Sequence, residues 1–330
     1  MKKNIAIVAG GYSSEYVVSL RSAQGIHSFI NKERYNLYIA LITHEEWKMQ
    51  LPDESWTPID KNDFSFTEGG VVKHIDFCYI TIHGTPGEDG RLQGYFDMIG
   101  MPYSSCSMMV SALTFNKYIC NQYLRHFGVH VADSIHLFQG DQVTDEEVIA
   151  RLGLPIFVKP NDGGSSFGVT KVKTKEAIQP AIEKAFSEGK EVVLERFIAG
   201  TEVTCGCYKV AHKAVVFPLT EVVTPNEFFD YDAKYNGQVD EITPARIPDE
   251  VRDAVQAMTL KIYDILGCKG IIRVDYILTG DEAKGERLEI NLLEVNTTPG
   301  MTATSFIPQQ VRAAGLNIGQ VLSEIVEDNF

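Results

Sequence analysis

The sequence predicts an α/β protein of two or three domains, and three observations carry that prediction. Strand-length apolar runs alternate with helix-length stretches from end to end. At 330 residues the chain exceeds one ordinary domain of ~100 to 200 residues. Its 44% hydrophobic and 22% charged residues are the composition of a globular protein, not a disordered one.

In chain order, NIAIVA (4–9), YNLYIALIT (35–43) and IDFCYITIHG (75–84) read as buried strands, and such continuous apolar runs point to a parallel sheet in the first hundred residues. Ligands of parallel sheets gather beyond the carboxyl ends of the strands, where the loops GGYSSE (10–15) and HGTPGEDG (83–90) emerge. The stretch 108–128 reads as helical. LPIFVKPNDGGSSFGVTKVKT (154–174) then reads as strand, glycine-rich loop and strand, in a unit carrying basic and small residues rather than a large core of its own. Further strands are expected over 191–210 and 213–223. A polar stretch, 224–246, follows with Pro225 and Pro244 near its ends; a loop that long in a compact domain is functional or disordered. A helix opens at Pro248 and closes at Gly267. GIIRVDYIL (270–278), the turn TGDEAKGE (279–286) and RLEINLLEVN (287–296) suggest a hairpin, and two short helices end the chain.

The net charge of -14, from 30 basic and 44 acidic residues, speaks against a non-specific nucleic-acid binder or a partner of anionic membranes. Six scattered cysteines contain no CxxC pair, so neither a disulfide framework nor a zinc site is indicated. Cys205 and Cys207 read as two small core residues. The apolar run after Met1 is too short for a signal peptide, and no membrane-length apolar span exists, so cytoplasmic residence is the expectation.

Glu294 and Asn296 sit two apart, on one face of a strand, and the 279–286 turn folds Asp275 towards them. Hard oxygen donors without neighbouring His or Cys suit Mg²⁺, while the solvent face of an edge hairpin would look the same. The glycines of PNDGGSSFG (160–168) allow backbone amides to close on phosphate, with Ser165 and Ser166 as further donors and Lys159 as a point charge. No GxxxxGK[ST] occurs, and GGYSSE lacks GxGxxG spacing, so ATP held by some other fold survives both exclusions.

VKPNDGGSSFG, LERFIAGTE, RVD and LLEVNTTPGMT, in that order, resemble the ATP-grasp ligases. More closely, GGYSSEYVVSL, HGTPGEDGRLQG, FFDYDAKY and NTTPGMTATS resemble the D-alanine:D-alanine ligase family from residue 4 to residue 325. The resemblance implies a three-domain ATP-grasp fold: an amino-terminal α/β domain (1–105), a central domain (106–195) and a carboxyl-terminal domain (196–330), with ATP gripped between the last two. It implies ligation of two D-alanines through an acyl phosphate, for peptidoglycan precursors.

By the same resemblance, Asp275, Glu294 and Asn296 match the ligands of two Mg²⁺ ions, for which Mn²⁺ is an alternative. Lys117, Lys159, Ser166 and Lys234 match residues that touch ATP phosphates, and Glu195 and Glu202 match its adenine and ribose acceptors. Arg273 and the Gly300 amide match the oxyanion donors. Glu15, Ser165, Tyr235 and His83 match the surroundings of the first D-alanine, and Ser305 the carboxylate site of the second. Two departures stand out: Phe306 where members carry an aliphatic residue, and Gly163 where many carry Glu. The resemblance suggests a homodimer. The alternatives are D-alanine:D-lactate ligation, which Tyr235 speaks against, another ATP-grasp ligase, and a catalytically silent ATP- or amino-acid-binding protein.

Overall fold

The computed structural model describes residues 2–163, 168–211, 213–223, 240–280 and 287–330. Three sheets organise it. In the first, β1 (Lys3–Gly10) leads through helix α1 (Tyr16–Phe29) to β2 (Tyr35–Ile42), followed by β3 (Trp47–Gln50), β4 (Trp56–Asp60), β5 (Ser65–Glu68), β6 (Val71–Lys73) and β7 (Phe77–Ile80). The spatial order is β6-β5-β4-β3-β2-β1-β7. Only β2, β1 and β7 run parallel; the remaining four strands extend the sheet as an antiparallel meander, so the sheet is mixed. Burial on both faces explains why β1 is apolar from Ile5 to Ala9. Ile5, Ile7 and Ala9 enter one core, and Ala6 and Val8 another on the opposite face.

Helix α2 (Arg91–Ile99) closes this unit. The expected single helix over 108–128 is two, α3 (Met108–Phe115) and α4 (Lys117–His126). Asn116 is extended between them, and its side chain accepts the Ile119 N–H as an N-cap. After β8 (His130–Val131), a four-stranded antiparallel sheet contains β9 (Ser134–Phe138), β10 (Ile156–Pro160), β11 (Thr170–Val172) and β12 (Glu191–Arg196), in the order β11-β10-β12-β9. Helices α5 (Asp145–Leu152) and α6 (Ile178–Glu188) accompany it. Against expectation, this unit has its own core: Ile135, Val148, Leu152, Ile156, Val158, Ile178, Ala185 and Leu194 cluster together. Single apolar residues, alternating along short strands and spaced on two amphipathic helices, supply it, so no long hydrophobic run announced it.

The third sheet orders β16 (Asp240–Ile242), β15 (Thr220–Val223), β13 (Thr201–Val210), β17 (Gly270–Thr279), β18 (Glu289–Asn296) and β8, with β14 (Lys213–Val216) hydrogen-bonded to β13. Thus 240–242 of the polar stretch expected as a loop is an edge strand. Helix α7 (Asp249–Leu266) packs on one face of this sheet and ends at Gly267 in the left-handed conformation. On the other face, α8 (Phe306–Ala313) and α9 (Ile318–Glu327) share one core with the first sheet: Ile7, Ile26 and Phe77 join Tyr208, Ile271, Ile307 and Leu322. That shared core fixes the first sheet's loops against the β17–β18 hairpin.

Candidate active site

The β17–β18 hairpin brings the proposed metal ligands together. Asp275 lies opposite Glu294 and Arg273 opposite Asn296, so period-two alternation puts all four side chains on one face. The register slips beyond Asp275: Tyr276 pairs with Leu292, leaving Leu293 as the inserted residue of a bulge. The bulge lets both Leu292 and Val295 reach the core behind the sheet while Glu294 and Asn296 stay in front.

The Asp275 carboxylate is the centre of this face. It accepts Arg273 Nε at 2.9 Å and Nη2 at 2.8 Å, Asn296 Nδ2 at 3.0 Å, and the Thr204 hydroxyl from β13. Burial works against the Arg273 charge, but the Asp275 carboxylate, with further help from Glu294 and Glu88, holds its pKa above the ordinary arginine range. The guanidinium carbon also lies 5.2 Å from the Phe306 ring centre. Glu294 Oε2 is 3.6 Å from Lys117 Nζ, which also donates to the Gly163 carbonyl. Asp275, Glu294 and Asn296 offer only oxygen donors of the hard kind, and the carboxylates stand directly across the ladder, a donor set that fits a magnesium-like cation.

Two joined cavities meet here. One, of about 880 Å³, lies between the second and third sheets and is lined by Lys117, Lys159, Glu195, Glu202, Phe157, Phe197, Ile277 and Leu293. The other, of about 280 Å³, opens towards the first sheet and is lined by Glu15, His83, Glu88, Asn296, Gly300, Ser305 and Phe306. Lys117, Arg273 and Glu294 line both, so charge converges at the junction. Glu195 is only 7% exposed and forms a 2.7 Å ion pair with Lys159, so it is not the surface glutamate that its sequence context, without the family resemblance, favours.

On the first-sheet side, Glu15 immediately precedes α1, and its N–H donates to Ser13 Oγ at 3.3 Å. Ser13 Oγ donates to the His83 carbonyl at 3.0 Å, tying together the two loops at the carboxyl ends of β1 and β7. The His83 ring lies 3.3 Å from Ser22 Oγ, which accepts the Met301 N–H at 3.3 Å and so connects the histidine to the turn after β18. In that turn Ser305 Oγ accepts the Thr302 N–H at 3.1 Å. A Cβ on Gly300 would stand 3.0 Å from the same Ser305 Oγ, which is why glycine suits this position.

The structure therefore brings together Glu15, His83, Lys117, Lys159, Glu195, Glu202, Arg273, Asp275, Glu294, Asn296, Gly300 and Ser305. Ser165, Ser166, Lys234 and Tyr235 lie outside the described residues. Glu88 was not foreseen. Its carboxylate accepts the Gly84 N–H at 2.7 Å, and burial, then Glu15 and Glu294, push its pKa up to about 8. The only signal for it was its place in HGTPGEDG, a loop at the carboxyl end of the sheet.

Family models give the decisive comparison: residues 4–106 match the D-ala D-ala ligase N-terminus and residues 123–327 the D-ala D-ala ligase C-terminus. The chain belongs to the D-alanine–D-alanine ligase family. It is 74% identical over 330 residues to a D-alanine–D-alanine ligase of Parabacteroides distasonis, covering 100% of this chain and 98% of the relative. A Porphyromonas gingivalis D-alanine–D-alanine ligase is 54% identical over 332 residues, covering 100% and 99%. Among solved structures, a D-Ala:D-Ser ligase of Enterococcus faecalis superposes with TM-score 0.86 at 32% identity over 100% of both chains. A Bacillus anthracis D-alanine–D-alanine ligase complexed with ATP superposes with TM-score 0.78 at 29% identity, covering 99% of this chain and 97% of that one.

Proposed function

We infer that this family member joins two D-alanines into D-alanyl-D-alanine at the expense of ATP, a step of peptidoglycan precursor synthesis. The observation that carries the reading is the junction of the two cavities, where Lys117, Arg273 and Glu294 line both a nucleotide-sized cleft and a small amino-acid-sized one. The triphosphate enters the larger cleft, its phosphates towards Lys117 and Lys159 and its base and ribose towards Glu195 and Glu202. The carboxylate oxygen of the first D-alanine, its ammonium at Glu15, attacks the γ-phosphorus; ADP leaves and an acyl phosphate forms. The amine of the second D-alanine, its carboxylate at Ser305, then attacks the acyl carbon, loses a proton and expels phosphate. Arg273 and the Gly300 amide face the oxyanion of that step, where preorganised donors act most strongly.

Asp275, Glu294 and Asn296 would hold Mg²⁺, two ions by analogy with the family and Mn²⁺ as a substitute. When bound, such ions neutralise phosphate charge and help orient the transferred group. Before that, Arg273 donates to both Asp275 oxygens, so the same fork that recognises an oxyanion orients the carboxylate. By the same analogy, Ser165 and Tyr235 complete the proposal as companions of the first D-alanine, and Ser166 and Lys234 as phosphate contacts. We further propose domain limits of 1–105, 106–195 and 196–330, a homodimer, and residence in the cytoplasm; no helix among the described residues is long and apolar enough to cross a membrane.

Product analysis by mass spectrometry tests the substrate assignment. With Mg-ATP and D-alanine, alone or mixed with D-serine or D-lactate, the dipeptide D-alanyl-D-alanine should dominate. A mixed product in preference to it would move this chain towards the specificity named for the Enterococcus neighbour or towards depsipeptide formation.

A further inference from the structure

Lys117 is the first residue of α4, and its backbone is held by a residue of another element. Asn161, completely buried just after β10, uses all four of its hydrogen-bonding groups. Its carbonyl accepts the Lys117 N–H at 3.2 Å and its side-chain Oδ1 the Tyr118 N–H at 2.8 Å. Its own N–H donates to the Glu191 carbonyl at 2.9 Å, and its Nδ2 to Glu191 Oε2 at 2.7 Å. The Glu191 oxygen also accepts Asn116 Nδ2 at 3.1 Å and bonds His136 Nε2 at 2.9 Å. The Tyr118 ring stacks on His136 at 4.5 Å.

A helix start ordinarily leaves its first N–H groups without partners inside the helix. Here Asn161 takes two of them and Asn116 the next, that of Ile119. Two residues beyond Asn161, the Gly163 carbonyl accepts the Lys117 ammonium itself. The backbone and the side chain of Lys117 are thus referred to one short segment, 161–163, which Glu191 anchors to β12. The arrangement fixes where the ammonium stands between the Gly163 carbonyl and Glu294.

We propose that Asn161, anchored by Glu191, is a positioning residue for ATP: it sets the lysine that faces the phosphates rather than touching the nucleotide. The proposal rests on the reading of Lys117 as a phosphate contact. A misplacement of about 1 Å in a positioned group costs up to about 100-fold in rate. Accordingly, Asn161→Ala is expected to lower kcat/KM for ATP by about 10- to 100-fold while the KM for D-alanine changes by less than about two-fold.

A double-mutant cycle separates this from structural damage. In a Lys117→Met background, Asn161→Ala should change ATP kinetics by less than about two-fold, because the group it positions is already gone. An equal loss in both backgrounds would overturn the proposal, as would wild-type ATP kinetics for Asn161→Ala. Wild-type ATP kinetics for Lys117→Met alone would overturn the Lys117 reading and the proposal with it, an outcome recognisable by its independence of Asn161. Glu191→Gln, close in shape and gentler on folding, runs through the same cycle and should show the same loss confined to the Lys117 background.

Discussion

Replacing Arg273 by alanine should damage turnover and stability by different amounts, and the two are measurable apart. For catalysis, the residue is expected to supply one oxyanion donor. Removing such a donor costs about 100- to 1000-fold in kcat, or about 3 to 4 kcal/mol. For stability, the structure gives a separate estimate. The guanidinium makes two parallel bonds to Asp275, at 2.9 and 2.8 Å, and the two side chains are only 12% and 13% exposed. Breaking one side of a buried pair costs about 3 to 5 kcal/mol. Asp275 keeps Thr204 and Asn296 as partners, so the lower end, about 3 kcal/mol, is expected. Steady-state phosphate release at saturating ATP and D-alanine reads the first quantity, and urea unfolding without ligand reads the second. Arg273→Lys, which restores charge but not the fork, should recover part of the stability and little of the turnover. An Arg273→Ala protein that folds and turns over at the wild-type rate would refute the assignment. A loss of turnover that vanishes when stability is restored by ligand would refute the separation.

Other expectations follow from the same geometry. Glu88 ionises near 4.5 in the unfolded chain but near 8 in the fold, so the folded state binds the extra proton between those values and stability falls as pH rises through them. The effect is worth a few kcal/mol at most, since the carboxyl edge meets the cavity. Urea midpoints at pH 5 and pH 8.5 should converge in Glu88→Gln, and an unaltered pH slope would count against it. Gly300→Ala places a methyl carbon about 3.0 Å from Ser305 Oγ, so the KM for the second D-alanine should rise by about ten-fold or more; unchanged second-site kinetics would remove Ser305 from that role. Tyr235→Phe is expected to let D-lactate compete as second substrate, and a product mixture free of depsipeptide at any pH would exclude the residue from that choice.

Much of this site could be read from the sequence because its chemistry is carried by short strands whose period is two. Glu294 and Asn296, two apart on one strand, had to share a face, whereas Asp275 joins them only because the bulge at Leu293 sets the pairing of β17 with β18. What escaped notice depends on long-range contacts. The meander of β3 to β6 consists of strands three to five residues long, and the exposed Val71 and Val72 give no inside-outside pattern. The break at Asn116 was hidden by an apolar pattern that continues across it; the N-cap bond to Ile119, with the bonds of Lys117 and Tyr118 to distant Asn161, starts the second helix there. Glu88, Glu191 and Asn161 look like ordinary polar residues of loops and strand ends. Their roles come from neighbours remote in sequence: Asn161 meets Tyr118 across 43 positions, and Glu191 meets Asn116 across 75.

The most direct test of the central claim is the release of phosphate from Mg-ATP by the purified protein with D-alanine, with L-alanine and with neither. The account predicts release that requires D-alanine and equals D-alanyl-D-alanine formed, one phosphate for each dipeptide. Release indifferent to the amino acid, or none at all from a protein that still binds ATP, would contradict it.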